Sequence, residues 1–366
     1  MPSENPNHSL KIIKNLLLKH MRKSPPKETD PMAFGSITSN HMLVSDFISQ
    51  KGGWQTPEIK PFEPFSMRPD ALVFHYGQTI FEGMKAFRSA NDPNDVFIFR
   101  PDMNAKRMAN SATRLAMEPY PQQHFIQCVK ELVAVERDWV LPLPCSLYIR
   151  PAMMALDEGV SYRPSKNYRF YIFLSPAKDY FQGGQTIGVY IERKLSRAAL
   201  GGCGEAKCGG NYAAALLPMV KAKKAGAEQI LWLDAQQHKY IEEAGAMNVM
   251  FVYGNKIITP ELTGSILHGV TRDSILKIAQ DLGYTVEEGK IEVESLIADA
   301  KANALTEAFA CGTAAAVTSI GAFFEDSEKV QIGDGRPGPV SLALKKRLLE
   351  IQTGLAEDKY HWLLKV

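Results

Sequence analysis

Cysteine is scarce in this chain of 366 residues. The five that occur (Cys128, Cys145, Cys203, Cys208 and Cys311) are odd in number, scattered, and form no Cys-x-x-Cys or Cys/His ligand spacing. That excludes a disulfide-stapled secreted scaffold, gives no metal site, and fits a reduced, cytoplasmic compartment. An excess of one charge is also missing. Lys plus Arg is 42 against Asp plus Glu at 40, and the formal net charge of +2 provides no field to hold a polyanion. Nucleic acid is therefore not an expected partner. Long hydrophobic runs are absent too: the longest uncharged stretch, 308–324, is built largely of Ala, Gly, Thr and Ser and falls short of the roughly 20 apolar residues that span a bilayer. It reads as buried strand and turn, with no membrane partner. Repeats and low-complexity segments are likewise lacking.

What remains is an ordinary globular composition, 45% hydrophobic and 22% charged. At roughly 150 residues per domain, the length suggests about two domains. Lys11, Lys14, Lys19, Arg22, Lys23 and Lys27 surround the apolar Ile12, Ile13 and Leu16 to Leu18. This N-terminal pattern lacks the apolar core and cleavage site of a secretory signal, so 1–33 reads as an arm, a surface helix or frayed.

Periodicity and punctuation supply the organisation. Strands are expected at 71–76, 96–99, 146–150 and 168–175, and a helix at 102–117 with Asp102 as its cap. The segment PAKDYFQGG at 176–184 breaks periodicity for long enough to join two domains. The division is then a small α/β domain over 34–177, a connecting loop at 178–188 and a large domain over 189–366. Within the latter, strands at 229–234, 248–253 and 305–310 interleave with helices at 212–225, 270–282 and 339–351. The fold class is α/β shading into α+β, with helices covering a mixed sheet and the topology open.

The segment LGGCGEAKCGGNY at 200–212 holds five glycines around Lys207. It is no P-loop, because Lys207 is followed by Cys208 and Gly209 instead of Ser or Thr, and it fits the dinucleotide fingerprint poorly. A lysine among residues without bulk does leave room for a flat group beside its amine, as a Schiff base with an aldehyde cofactor requires. Tyr212 is near enough in sequence to hydrogen-bond such a cofactor. In YIEEAGAMN at 240–248, two carboxylates end an expected strand ahead of a small-residue turn. A carboxylate that keeps a pyridine nitrogen protonated makes pyridoxal phosphate an electron sink. A solvated acidic turn accounts for that segment equally well.

Together KCGGNY, EEAGAMN, FEGMKAFR at 81–88, FRPDMNAKRM at 99–108, SLYIRP at 146–151 and ACGTAAAV at 310–317 resemble the branched-chain amino acid aminotransferases. These are two-domain pyridoxal phosphate enzymes of fold type IV, with the architecture of D-amino acid aminotransferase. The resemblance runs in order from about Phe34 to the C-terminus. It implies that Lys207 is the Schiff-base lysine and the acid and base that moves the proton between Cα and C4′. Tyr212 would hydrogen-bond the cofactor's O3′, and Glu243 would be the pyridine-nitrogen partner, leaving Glu242 outside direct contact. Arg107, the backbone N–H groups of Val270 and Thr271 at a helix start, and Thr313 would bind the phosphate. Arg100 has the weaker claim.

For the substrate, the resemblance implies aromatic pocket positions at Tyr76, Phe81, Tyr148 and Tyr180. Thr313 lies near the same site, Ala314 is a backbone donor to the substrate carboxylate, and Arg150 serves the second carboxylate of glutamate. The loop around Gly159 and Val160 would reach a neighbouring subunit of a homodimer. The implied reaction exchanges the amino group of leucine, isoleucine or valine with 2-oxoglutarate by a ping-pong mechanism. A D-amino acid transaminase or a pyridoxal phosphate lyase acting on aminodeoxychorismate is the alternative within the fold. A non-enzymatic nucleotide-binding protein is the alternative outside it. Several positions depart from the family pattern: Ala315 and Thr318 replace a thiol pair found in its mammalian branch, Ala246 replaces a frequent Thr, His268 a Pro, and Cys208 a Val or Leu.

Overall fold

The computed structural model describes residues 10–178, 186–326 and 328–366. The chain divides into two compact units. One holds the described residues up to Arg88, then Asp92–Lys178 and Leu364–Val366; the other holds Ser89–Asn91 and the described residues after Lys178 as far as Leu363. Among the described residues no helix is long and apolar enough to cross a membrane.

The first unit is built on a ten-stranded sheet whose main path runs Ile13–Lys14, Glu58–Pro61, His41–Ile48, Asn167–Ala177, Ser146–Ala155, Met84–Arg88, Val96–Phe99 and Leu363–Lys365. Ser146–Ala155 and Asn167–Ala177 pair antiparallel along ten registered positions, from Ser146 opposite Ala177 to Ala155 opposite Tyr168. Nearly every residue of Ser146–Ala155 is buried, the pattern of a strand covered on both faces. Tyr148 and Arg150 sit two apart on it and therefore share one face. The helix Pro101–Arg114 starts with Pro at its first position. Ala105, Met108 and Ala112 form its apolar stripe, and beside it Asn104, Arg107 and Ser111 are buried as a polar one.

Three local expectations fail here. Residues 71–76 are not a strand: Leu72–Tyr76 is a short helix closed by Gly77 in the left-handed conformation at φ 61°. Asp102 does not cap the next helix, because Arg100 occupies the cap position with φ 49° and Asp102 lies in the first turn. The described part of the arm forms no surface helix beyond the single 3-10 turn Lys19–Met21. Ile13–Lys14 adds a parallel strand against Glu58–Ile59, and the Leu17 N–H donates to Nε2 of buried His41 at 2.9 Å.

The second unit carries a nine-stranded sheet with the main order Ile241–Ala244, Gln229–Leu233, Ile187–Glu192, Ala316–Glu325, Glu307–Gly312, Asn248–Tyr253, Lys256–Pro260 and Thr285–Gly289. It mixes parallel and antiparallel pairs. Val189, Leu231, Val249, Phe251, Ala310 and Ile320 centre its core. The helices Leu216–Lys224, Val270–Asp281 and Pro339–Gln352 belong to this unit. The stretch expected as one helix at 212–225 is two, Gly209–Ala213 and Leu216–Lys224. Ser89–Asn91 joins the unit through Ala90 N–H to the Thr353 carbonyl at 2.9 Å and Asn91 Nδ2 to the Gly354 carbonyl at 2.7 Å.

Candidate active site

In the second unit the glycine-rich loop and the strand that carries Glu243 both meet the 263–267 loop. Lys207 closes the glycine-rich loop just before the short helix Gly209–Ala213, and that helix turns Tyr212 back so that Lys207 Nζ donates to its Oη at 3.0 Å. A side chain added at position 210 would meet nothing within 4 Å. Gly204 is different: a Cβ there would lie 2.1 Å from the Ser265 carbonyl oxygen. Only glycine lets the lysine loop approach the 263–267 loop so closely.

Glu243 lies on the strand Ile241–Ala244 and is buried. Its Oε1 accepts the Leu267 N–H at 2.8 Å, and its Oε2 is 3.0 Å from Nε of buried Arg197. That second contact is an ion pair without the alignment of a hydrogen bond. Arg197 also donates through Nη2 to the Ser265 carbonyl. Arg197 belongs to no motif in the sequence, where it is only a lone cation at the entrance of a small-residue loop.

Glu242, the neighbouring carboxyl, accepts a hydrogen bond from Ser265 Oγ, and its Oε2 is buried without a partner. Burial pushes its pKa up. The two acids therefore differ in kind, one ion-paired and one whose charged form burial disfavours.

Val270 and Thr271 are the first residues of the helix Val270–Asp281, behind Gly269 at the cap. Thr313 and Ala314 sit in the turn between Glu307–Gly312 and Ala316–Glu325. Of the positions that depart from the family pattern, Ala246 and His268 are exposed and Cys208 is buried. Cys311 is buried with its thiol pushed up to about 12, while Thr318 Oγ1 donates to the Ala315 carbonyl at 3.2 Å. Among the described residues no group of His, Cys, Asp or Glu is arranged to hold a metal ion.

The first unit assembles a second cluster. Arg150 donates through Nη2 to Tyr148 Oη at 2.9 Å, and its guanidinium carbon lies 4.7 Å from the Phe81 ring centre and 5.2 Å from that of Tyr148. Its Nε is buried with no hydrogen-bond partner. Among the described residues no carboxylate pairs with this guanidinium. Gly83 makes room for the arrangement, since a Cβ there would lie 2.1 Å from Tyr148 Oη. Arg107 is held by Glu82 through Nε at 2.7 Å and Nη2 at 2.8 Å. Tyr76 is exposed, and its hydroxyl donates to the carbonyl of Val160. Tyr180 lies outside the described residues.

The profile of the class IV amino-transferases matches residues 79–323. The chain belongs to that family. A branched-chain-amino-acid aminotransferase of Mycolicibacterium smegmatis is 42% identical over 340 residues, covering 91% of this chain and 92% of that protein. Branched-chain-amino-acid transaminase 1 of Bacillus subtilis is 38% identical over 97% of this chain and 99% of its own length. Among solved structures, the T.th. branched-chain amino acid aminotransferase complexed with N-(5′-phosphopyridoxyl)-L-glutamate superposes with a TM-score of 0.71 at 29% identity. That match covers 88% of this chain and 97% of the other. The Escherichia coli enzyme gives a TM-score of 0.71 at 27% identity, over 89% and 98%.

Proposed function

We propose that this aminotransferase moves the amino group between leucine, isoleucine or valine and 2-oxoglutarate, with pyridoxal phosphate as cofactor. The observation that carries the reading is Arg150: a cation laid on Phe81 and Tyr148, with a buried Nε lacking a partner, suits a ligand that brings its own carboxylate. The same aromatic walls suit an aliphatic side chain. One pocket therefore serves an apolar donor and a dicarboxylic acceptor, which a two-stroke exchange demands. The similarity to the enzyme complexed with a phosphopyridoxyl-glutamate supports the same cofactor and acceptor here.

The residues also fit the cofactor. An amine lies 3.0 Å from a phenol beside open space at Gly210, and the carboxylate of Glu243 is already paired with a cation. Bound pyridoxal phosphate supplies an aldehyde that takes the amino group and a conjugated ring that takes up the electron pair at Cα. Lys207 Nζ would hold the cofactor's aldehyde carbon and, when free, would carry the proton between Cα and C4′. Tyr212 Oη serves O3′, Glu243 serves the pyridine nitrogen, and Arg107, the N–H groups of Val270 and Thr271, and Thr313 serve the phosphate. The backbone N–H of Ala314 serves the substrate α-carboxylate. Tyr76 and Tyr180 complete the aromatic pocket.

The working form we propose is a cytoplasmic homodimer. In the loop beyond Gly159, Val160 is 65% and Tyr162 is 85% exposed, an apolar pair suited to a second copy. Half-reactions with a panel of amino donors test the activity, together with an absorbance scan for the bound cofactor. No band on adding pyridoxal phosphate refutes the cofactor assignment. Turnover of D-alanine in preference to L-leucine refutes the substrate class.

A further inference from the structure

We infer that Glu82 is the positioning residue for Arg107, setting the plane of its guanidinium for a phosphate. The inference rests on the reading of Arg107 as a phosphate ligand. Glu82 is 0% exposed. Its Oε1 accepts from Arg107 Nε at 2.7 Å. Its Oε2 accepts from Arg107 Nη2 at 2.8 Å, Asn104 Nδ2 at 2.7 Å and the Gly83 N–H at 3.1 Å. Asn104 and Arg107 are three residues apart on Pro101–Arg114 and face the carboxylate together. The Glu82 N–H is itself fixed to the Pro151 carbonyl at 2.7 Å.

A carboxylate without solvent is costly unless every lone pair is used, and this one is surrounded by donors. Gripping the guanidinium at two nitrogens fixes its plane, which a single contact does not. As a bare charge, however, Glu82 opposes the binding of an anion by Arg107. The two possible contributions have opposite signs. If Glu82 acted only as a charge, removing it would strengthen phosphate binding; if it orients Arg107, removing it weakens phosphate binding. A carboxylate placed against the cation and shielded from water gains its use through orientation.

The sign is read without turnover, from the binding of pyridoxal phosphate and of pyridoxal, which lacks the phosphate, to the cofactor-stripped full chain by absorbance titration. Their Kd ratio isolates the phosphate's contribution from any general loosening of the fold. Glu82→Gln is expected to lower the preference for the phosphorylated form about tenfold, the equivalent of one charge-assisted hydrogen bond. Glu82→Asp, which keeps the charge one methylene short, should lose less and serves as the test if the Gln variant does not fold. In an Arg107→Gln background, Glu82→Gln should add nothing, because its effect passes through the arginine. An unchanged or increased preference in Glu82→Gln, with Arg107→Gln reducing it, overturns the inference alone. No reduction in Arg107→Gln overturns the assignment of Arg107 and takes the inference with it.

Discussion

Replacing Arg150 with Gln separates the two halves of the reaction. The side chain retains a polar tip near Tyr148 but loses the charge now 4.7 Å from the Phe81 ring centre. Removing one partner of a desolvated charge pair costs about 2 to 5 kcal/mol. Binding of glutamate and 2-oxoglutarate should therefore weaken by roughly 30-fold to a few thousand-fold. Leucine presents only carbon to the same surface, so its affinity should change several-fold at most. Single-turnover measurements on one variant, titrated separately with leucine and with glutamate, give both constants. Stability should change modestly, because Arg150 has no ion-pair partner to abandon: what is at stake is its hydrogen bond to Tyr148 Oη, worth about 1 kcal/mol, and its stacking on two rings, worth roughly 0.5 to 2 kcal/mol. Equal weakening of both substrates, accompanied by a large fall in Tm, would refute the reasoning and make Arg150 a structural residue.

Borohydride reduction of the loaded enzyme followed by peptide mapping should label Lys207, and a label on Lys221, Lys223 or Lys224 would overturn the assignment; Lys207→Ala should fold and show no turnover. Gly83→Ala places a methyl group 2.1 Å from Tyr148 Oη, so KM for 2-oxoglutarate should rise at least tenfold while the folded structure persists, as circular dichroism and steady-state kinetics can show. Glu242→Gln should stabilise the protein increasingly as pH rises above the usual carboxylate range. The folded state holds that proton more tightly than the unfolded chain, so wild-type stability falls as pH climbs towards the raised pKa; a Tm difference that is flat from pH 4 to 8 contradicts this. Cys128 and Cys311, both pushed up to about 12 by burial, should resist iodoacetamide in the native state at neutral pH, and rapid labelling of either, read by mass spectrometry, would show that the burial is wrong.

Sequence patterns located elements whose residues speak for themselves. The run Asn248–Tyr253 is apolar and β-rich, and it is a strand over those same residues. Val270–Asp281 carries its helical spacing openly. Leu72–Tyr76 misleads because Val, Phe and Tyr favour strands, while Gly77 and the packing of Leu72 close a single turn. The arm misleads for a related reason: its apolar residues suit a helix, yet the Ile13 and Asn15 N–H groups donate to the Pro57 and Ile59 carbonyls, far along the chain. At the site, Lys207 and Tyr212 are neighbours in sequence and were legible as such. Arg197 with Glu243, and Glu82 with Asn104 and Arg107, are joined only by folding. Local motifs are silent about such pairs, although Glu82 stands inside the FEGMKAFR segment that was already singled out.

The interleaving of the two units governs how the chain can be made and cut. Ser89–Asn91 belongs with residues translated much later, and Leu364–Val366 returns to the first unit, where the Val366 N–H donates to the Val96 carbonyl at 3.0 Å. No single scission yields a complete half. Expressing 1–178 alone omits the strand at Leu363–Lys365, and expressing 179–366 alone omits Ser89–Asn91. During synthesis the earlier unit waits for Leu364–Val366 to leave the ribosome before its sheet can close. Val96–Phe99 therefore lacks its second neighbour until Leu363–Lys365 has been made, and an open edge is where a growing chain is most exposed to wrong pairing.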